Sequence, residues 1–241
     1  NPHVDAIYGM HVLPDAHRAG QVGFHIGPIT TSVDLFDFTV SGRGGHGSRP
    51  DMSVNPVFCA ASILTNTATA WVNQITAGRT VTLGVTSIQG GEAPNVIPDT
   101  ADILGSLRFF NDEEGEKAVR IFKNVAEHTA AMNNCQVQFD DRFCVLCAPV
   151  INDEYYSNLI STALPEVLPE NVTVSSCEPW YASESFSCYR RICPSVLAHL
   201  GINNPSYGSG AAHHNGFFDV DEGVLSTGVI STLKFVAMLQ K

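Results

Sequence analysis

The sequence predicts an α/β fold in which one domain is inserted into another, and three observations predict it. Between Val33 and Leu146 the patterns run strand, helix, strand, strand, helix, strand, which is the split βαβ order of ferredoxin-like domains. Beyond Pro149 the chain changes character, with a helix, a Pro-punctuated stretch, a strand and a final helix. Residues 4–12 read as a further strand, and with the last section they make an α/β element that needs more sheet than it contains. Residues 33–147 are therefore expected as an insertion between two pieces of an outer domain, 1–32 and 148–241.

Each element has a local reason. Residues 4–12 form an apolar run ending at Leu13-Pro14, where proline removes a ladder donor, so His11 is expected at a strand end. From Val33 to Val40 the chain alternates, with Phe36, Phe38 and Val40 on one face, before the turn Gly42-Arg43-Gly44-Gly45. Asn55-Pro56 is an N-cap and N1 pair, and Val57, Ala61, Leu64, Ala68, Trp71 and Ile75 follow at helical spacing. Val81, Leu83 and Val85 alternate with polar or small residues, and a second strand covers residues 102–109 after a turn-rich segment. Asp112, Glu113 and Glu114 place negative charge at a helix start whose apolar stripe is Ala118, Phe122, Val125 and Met132. One strand is expected near residues 136–146, a helix at 153–164, a strand at 195–200 and a last helix at 221–240. The exposed edge of the inserted sheet is a natural place for self-pairing.

Composition narrows the partners. The 241 residues carry a formal charge of -11 with only 13 Lys and Arg, which repels phosphate backbones and anionic membranes, so neither nucleic acid nor a membrane surface is expected. No apolar run reaches the ~18 to 20 residues of a membrane span, and no basic region followed by an apolar stretch opens the chain. Seven cysteines are scattered; Cys144 and Cys147 make a C-x-x-C, but no second pair follows at zinc-ribbon spacing. Reduced thiols in the cytoplasm fit best. The start at Asn1-Pro2-His3, without Met and directly before a strand, is that of a fragment or a processed chain.

Of the nine histidines, His11, His46, His213 and His214 lie in turn-like or strand-end contexts. Histidine is the commonest metal ligand and the base most easily tuned to neutral pH, although a single one is more often a surface or core residue. His11 and the pair His213-His214 stand in the two pieces of the outer domain. The insertion would fold away between them and let them meet at the C-terminal edge of a common sheet, where open α/β folds place ligands.

Five ordered segments then resemble one family, the M20 amidohydrolases and peptidases, in the branch of hippurate hydrolases, N-acyl amino acid deacetylases and auxin-conjugate hydrolases. They are Gly9-Met10-His11-Val12-Leu13-Pro14; the run from Ser41 to Pro50 around His46; Asn55-Pro56; Asn95-Val96-Ile97-Pro98 with Gly105-Ser106-Leu107-Arg108; and His214-Asn215-Gly216-Phe217-Phe218. The resemblance implies a partial catalytic α/β domain with an inserted dimerisation, or lid, domain through which a homodimer forms. It implies two divalent metals, Zn2+ or Mn2+, per complete site, acting on an N-acyl amino acid or small peptide-like substrate. His11 and His214 match metal ligands, with His213 as the neighbour. His46 matches the residue that helps stabilise the oxyanion, and Asn95 and Arg108 match substrate-holding positions, Arg108 as a carboxylate clamp.

Two departures qualify the resemblance. The family's first metal-binding segment and its Glu-Glu pair have no match here, which implies that this chain alone does not hydrolyse amides. Ser183-Glu184-Ser185-Phe186 stands where the family has Ser-Glu-Asp-Phe, which bears on support for the ligands. The competing expectation is a non-catalytic dimerisation or binding module derived from such an enzyme.

Overall fold

The computed structural model describes residues 3–140 and 144–240 and divides the chain into two compact units, residues 1–30 with 150–241 and residues 31–149. In chain order the main elements are β1 (Ile7–Arg18), β2 (Val22–Phe24), β3 (Val33–Ser41), α1 (Pro56–Gln74), β4 (Val81–Gln89), β5 (Thr100–Phe109), α2 (Asp112–Met132) and β6 (Gln136–Phe139). They continue with β7 (Cys144–Cys147), α3 (Glu154–Ala163), β8 (Val174–Ser176), β9 (Ser195–Asn203) and α4 (Leu225–Leu239).

The first unit is a four-stranded sheet in the order β1, β9, β2, β8. β1 and β9 run parallel with Ile7 opposite Ser195 and His11 opposite His199, while β2 runs antiparallel to β9 and parallel to β8. Every residue of β9 from Ser195 to Ile202 is buried, as expected of a strand covered on both faces. Along β1, alternate residues divide the faces. Tyr8, Met10 and Val12 pack into a core with Val22, Phe24, Ile160 and Phe235, so α3 and α4 cover that side. Gly9 and His11 point to the other.

β1 does not end at Pro14. It continues to Arg18, with the register broken between Leu13 and Arg18. Because β1 lies at the edge of the sheet, a missing N–H there leaves no neighbour unpaired. The last helix is shorter than expected, because a short 3-10 turn, Glu222–Val224, capped by the Asp221 carboxylate, precedes it. Contrary to the expectation from apolar runs, Glu222–Leu239 is long and apolar enough to cross a membrane by length and composition. Here that helix buries Thr227, Ser231 and Phe235 and exposes Leu225, Val229, Leu233 and Val236.

The second unit is an antiparallel sheet in which β5 lies between β3 and β4, and β3 also pairs with β6 and β7. Phe36, Phe38 and Val40 meet Ala101, Ile103 and Leu107 under the two helices. Phe122 of α2 closes this core, 4.9 Å from the Phe36 ring and 5.6 Å from that of Phe38. Each fully buried phenylalanine contributes about 1.5–3 kcal/mol.

The helices keep part of the expected stripes, Leu64, Trp71 and Ile75 of α1 and Ala118 and Phe122 of α2 packing in the core, and depart from the rest. α1 buries Cys59, Ala60, Ile63, Thr67 and Ala70, while Val57, Ala61 and Ala68 are exposed. Small side chains let α1 approach the sheet closely, so size displaces hydrophobicity as the deciding property. Likewise Ile121 and Ala126 are buried on α2 and Met132 is exposed. The single strand expected at 136–146 is two, β6 and β7, and residues 141–143 and the Cys144 side chain of the C-x-x-C lie outside the described residues.

Asp34, on β3, is a buried acid: it is 3% exposed, and its Oδ1 has no hydrogen-bond partner. Burial, with the Asp112 carboxylate second, pushes its pKa up to about 6. A folded-state pKa above the unfolded value favours folding below the unfolded pKa, and that contribution disappears as pH rises through 6. Asp34→Asn is therefore expected to raise stability at pH 7.5 by roughly 1–3 kcal/mol, with the gap to wild type closing as pH falls from about 6 to about 4. Urea unfolding across that range checks it; a pH-independent gap contradicts it.

Candidate active site

His11 lies on the face of β1 opposite the α3 and α4 core, beside His199 on β9. Its ring is 4.9 Å from that of Trp180 and 5.2 Å from that of His213, and Trp180 is 5.0 Å from His213. Trp180 is fixed through its backbone, where its N–H donates to the Ile29 carbonyl at 2.7 Å.

One backbone carbonyl orders both imidazoles. Val12 O lies 2.7 Å from His11 Nδ1 and 3.0 Å from His213 Nε2. A carbonyl only accepts, so both of those nitrogens carry hydrogen, and the neutral rings hold their lone pairs at His11 Nε2 and His213 Nδ1. Glu184 Oε1 stands 3.2 Å from His11 Nε2. A carboxylate facing a lone pair is repulsive unless something positive lies between them, a proton on either group or a cation.

The segment carrying Glu184 is held by the strand that carries His11. Glu184 precedes the 3-10 helix Ser185–Arg191, and a Cβ on Gly9 would come within 2.7 Å of the Phe186 ring. The absent side chain at position 9 thus seats Phe186 and brings the preceding carboxylate to His11. Cys177 Sγ is 3.7 Å from His199 Nδ1, and burial, then the Glu178 charge, pushes this thiol up to about 11, so it stays neutral.

The paired histidines separate. The ring brought to His11 is that of His213, which also stacks on Phe218 at 5.5 Å. His214 is exposed, with a left-handed backbone at φ 60°. Among the described residues no group of three or more His, Cys, Asp or Glu side chains is placed to hold a metal ion. The donors gathered around His11 do not by themselves complete a metal centre.

His46, Asn95 and Arg108 belong to the unit of residues 31–149. His46 pairs with Val96 in a two-stranded ribbon, Gly45–His46 with Val96–Ile97, and Gly47 N–H donates to Asn95 O at 2.8 Å, so His46 and Asn95 sit side by side. The Ser48 backbone N–H donates to His46 Nδ1 at 3.1 Å and the Ser48 hydroxyl approaches it at 2.8 Å. A backbone N–H cannot accept, so the neutral ring keeps its proton on Nε2 and presents a donor. Arg108 lies half-buried on the sheet face away from the helices, opposite Thr82. Sequence reading missed Trp180 and the pairing of Glu184 with His11; the only signal was the nearness of Trp180 to the Ser-Glu-Ser-Phe segment.

Comparison with known proteins agrees with this architecture. Residues 20–133 match the family model for the M20 peptidase dimerisation domain. The chain is 30% identical over 223 residues to an N-acetylcysteine deacetylase of Bacillus subtilis, covering 92% of this chain and 56% of that protein. It is 28% identical to thermostable carboxypeptidase 2 of Saccharolobus solfataricus, covering 95% and 56%, and 27% identical to IAA-amino acid hydrolase ILR1-like 4 of Arabidopsis thaliana, covering 93% and 51%. The fold matches the Bacillus subtilis YXEP protein, described as a dinuclear metal binding peptidase from the M20 family, with TM-score 0.78 at 24% identity, covering 98% of this chain and 57% of that one. The chain is similar to the M20 peptidases, and its residues 20–133 match their dimerisation domain. It spans about half the length of the curated relatives it matches.

The loop that presents His46 depends on glycine. A Cβ on Gly42 would lie 2.2 Å from Val54 O, and Arg43 and Val54 exchange both backbone hydrogen bonds there. Gly42→Ala is expected to cost roughly 1–3 kcal/mol by overpacking and to move the His46 ring resonances. Urea unfolding with NMR of the His46 side chain checks this, and an unchanged loop would contradict it.

Proposed function

We propose that this chain is part of a hydrolase of amide bonds in N-acyl amino acids or small peptide-like substrates, and that it works as a homodimer. The observation that carries the reading is the Val12 carbonyl, which fixes His11 and His213 so that each presents a lone pair, that of His11 beside the Glu184 carboxylate. Ordering of imidazoles by a backbone carbonyl is what ligating histidines use elsewhere. His11 is then one ligand of a divalent metal, Zn2+ or Mn2+, in a centre completed by groups that the described residues do not gather. The family spacing assigns the second histidine role to His214, and the geometry at His11 favours His213.

Residues 33–147 act in this reading as the ferredoxin-like dimerisation and lid domain, and 1–32 with 148–241 as parts of the catalytic domain. His46 serves as a hydrogen-bond donor to developing negative charge, a role its Nε2–H tautomer suits. Arg108 binds a substrate carboxylate, which only the guanidinium can grip with two parallel bonds, and Asn95 holds the amide. The compartment proposed is the cytoplasm.

A second reading, a non-catalytic dimerisation or binding module, is favoured by one observation: the donors near His11 do not close a metal site. Hydrolysis of N-acetyl and N-benzoyl amino acids with Zn2+ or Mn2+, assayed on this chain and on a form as long as the relatives, separates the two. The hydrolase reading expects metal-dependent turnover by the longer form, none by this chain, and a loss on the order of a hundredfold in His11→Ala. No turnover by either form across the panel would sink it and leave the module.

A further inference from the structure

The sheet of the outer unit has a second face with a cleft of its own. His11, His199 and Gly23 stand in line across β1, β9 and β2 and share one face, so Phe24, one residue on, lies on the opposite face. There, between α3 and the C-terminal ends of the parallel pair β2 and β8, is a cleft of about 530 Å³. Cavities of roughly 300–1,000 Å³ hold small molecules, and the carboxyl ends of parallel strands are where open α/β sheets place them.

Its walls have an unusual chemistry. Phe24, Ile26 and Val174 supply apolar surface, and the remaining lining side chains are hydroxyls, one amide and one imidazole; none is an acid, a lysine or an arginine. In a chain of net charge -11, a cleft free of carboxylates is not the default surface. A charged ligand would lose its hydration there with no counter-charge in return.

Two groups show what the cleft would bind. Ser157, on α3, is 1% exposed, and its hydroxyl has no hydrogen-bond partner, although it lines the cleft. A buried hydroxyl left without a partner is costly, and Ser157 stands in the wall of the cleft. His25 is held from two sides: its Nδ1 lies 2.9 Å from the Cys177 carbonyl, and its own carbonyl accepts from Asn152 at 2.9 Å. The carbonyl takes the Nδ1 proton, so in the neutral ring Nε2 is an acceptor.

We propose that this cleft is a binding site for a small uncharged carbohydrate, a hexose in the first instance. A sugar ring offers an apolar C–H face to Phe24, Ile26 and Val174, and its hydroxyls both donate and accept, as the serines, Asn158 and His25 require. The proposal is independent of the hydrolase reading, since it uses the other face of the sheet.

Backbone amide NMR of the chain titrated with glucose tests it, with glucuronate as the anionic counterpart and cyclohexanol as the apolar one. Saturable shifts are expected at residues 24–26, 157–161 and 174–176 with glucose, and weaker or absent shifts with the other two. Ser161→Leu and Ser176→Leu, at positions open to solvent, fill the cleft and should weaken binding about tenfold or more, the effect of losing some 1.4 kcal/mol. Unperturbed amides elsewhere in both variants show that the fold is kept; if one variant misfolds, the other decides. Equal affinity for glucuronate or cyclohexanol, shifts outside the cleft, indifference to both substitutions or no saturable binding would each overturn the proposal.

Discussion

The outer unit depends on one long-range pairing, the parallel ladder between β1 and β9, whose partners lie nearly two hundred residues apart in the chain. Closing so long a loop has an entropic cost that grows only slowly with length, so a compact insertion is tolerated once the ladder forms. The ladder sets His11 beside His199 and turns Gly9 toward Phe186, and these two contacts bring Trp180 and Glu184 to the same place. The candidate site is therefore a consequence of register: a slip of one residue would carry His11 to the face that α3 and α4 cover.

Within that frame, the finer order comes from backbone groups. Val12 O accepts from two imidazoles and Ser48 N–H donates to a third, so three histidine tautomers are set by atoms that carry no sequence identity of their own. His11 and His213 present lone pairs while His46 presents a proton, a division that suits cation binding in one place and anion stabilisation in the other. The tight turn at Gly42 and the contact of Gly9 with Phe186 show the same economy of means: missing side chains let backbone or ring approach where the site needs it.

Much of the strand structure was legible because period-two alternation survives folding. Phe36, Phe38 and Val40 are buried where the pattern placed them, and Ala101, Ile103 and Leu107 answer them on β5. The helix faces were less so, since Cys59, Ala60 and Ala70 pack by smallness and a hydrophobicity pattern does not see that. His11 and the C-terminal histidines were legible as a constellation from their motifs, but which imidazole meets His11 depends on the turn at His214, a left-handed residue that sequence spacing cannot reveal. Trp180 was illegible for the same kind of reason: it reaches the site through a backbone bond to Ile29.

The most direct test of the account is native-state hydrogen exchange on the outer unit. If residues 7–18 and 195–203 are one ladder, the hydrogen-bonded amides of Ile7 to Leu13 and of Ser195 to Gly201 should open with the same free energy and the same denaturant dependence. Fast exchange of the first strand while the second stays protected would contradict it, and with it the placement of His11.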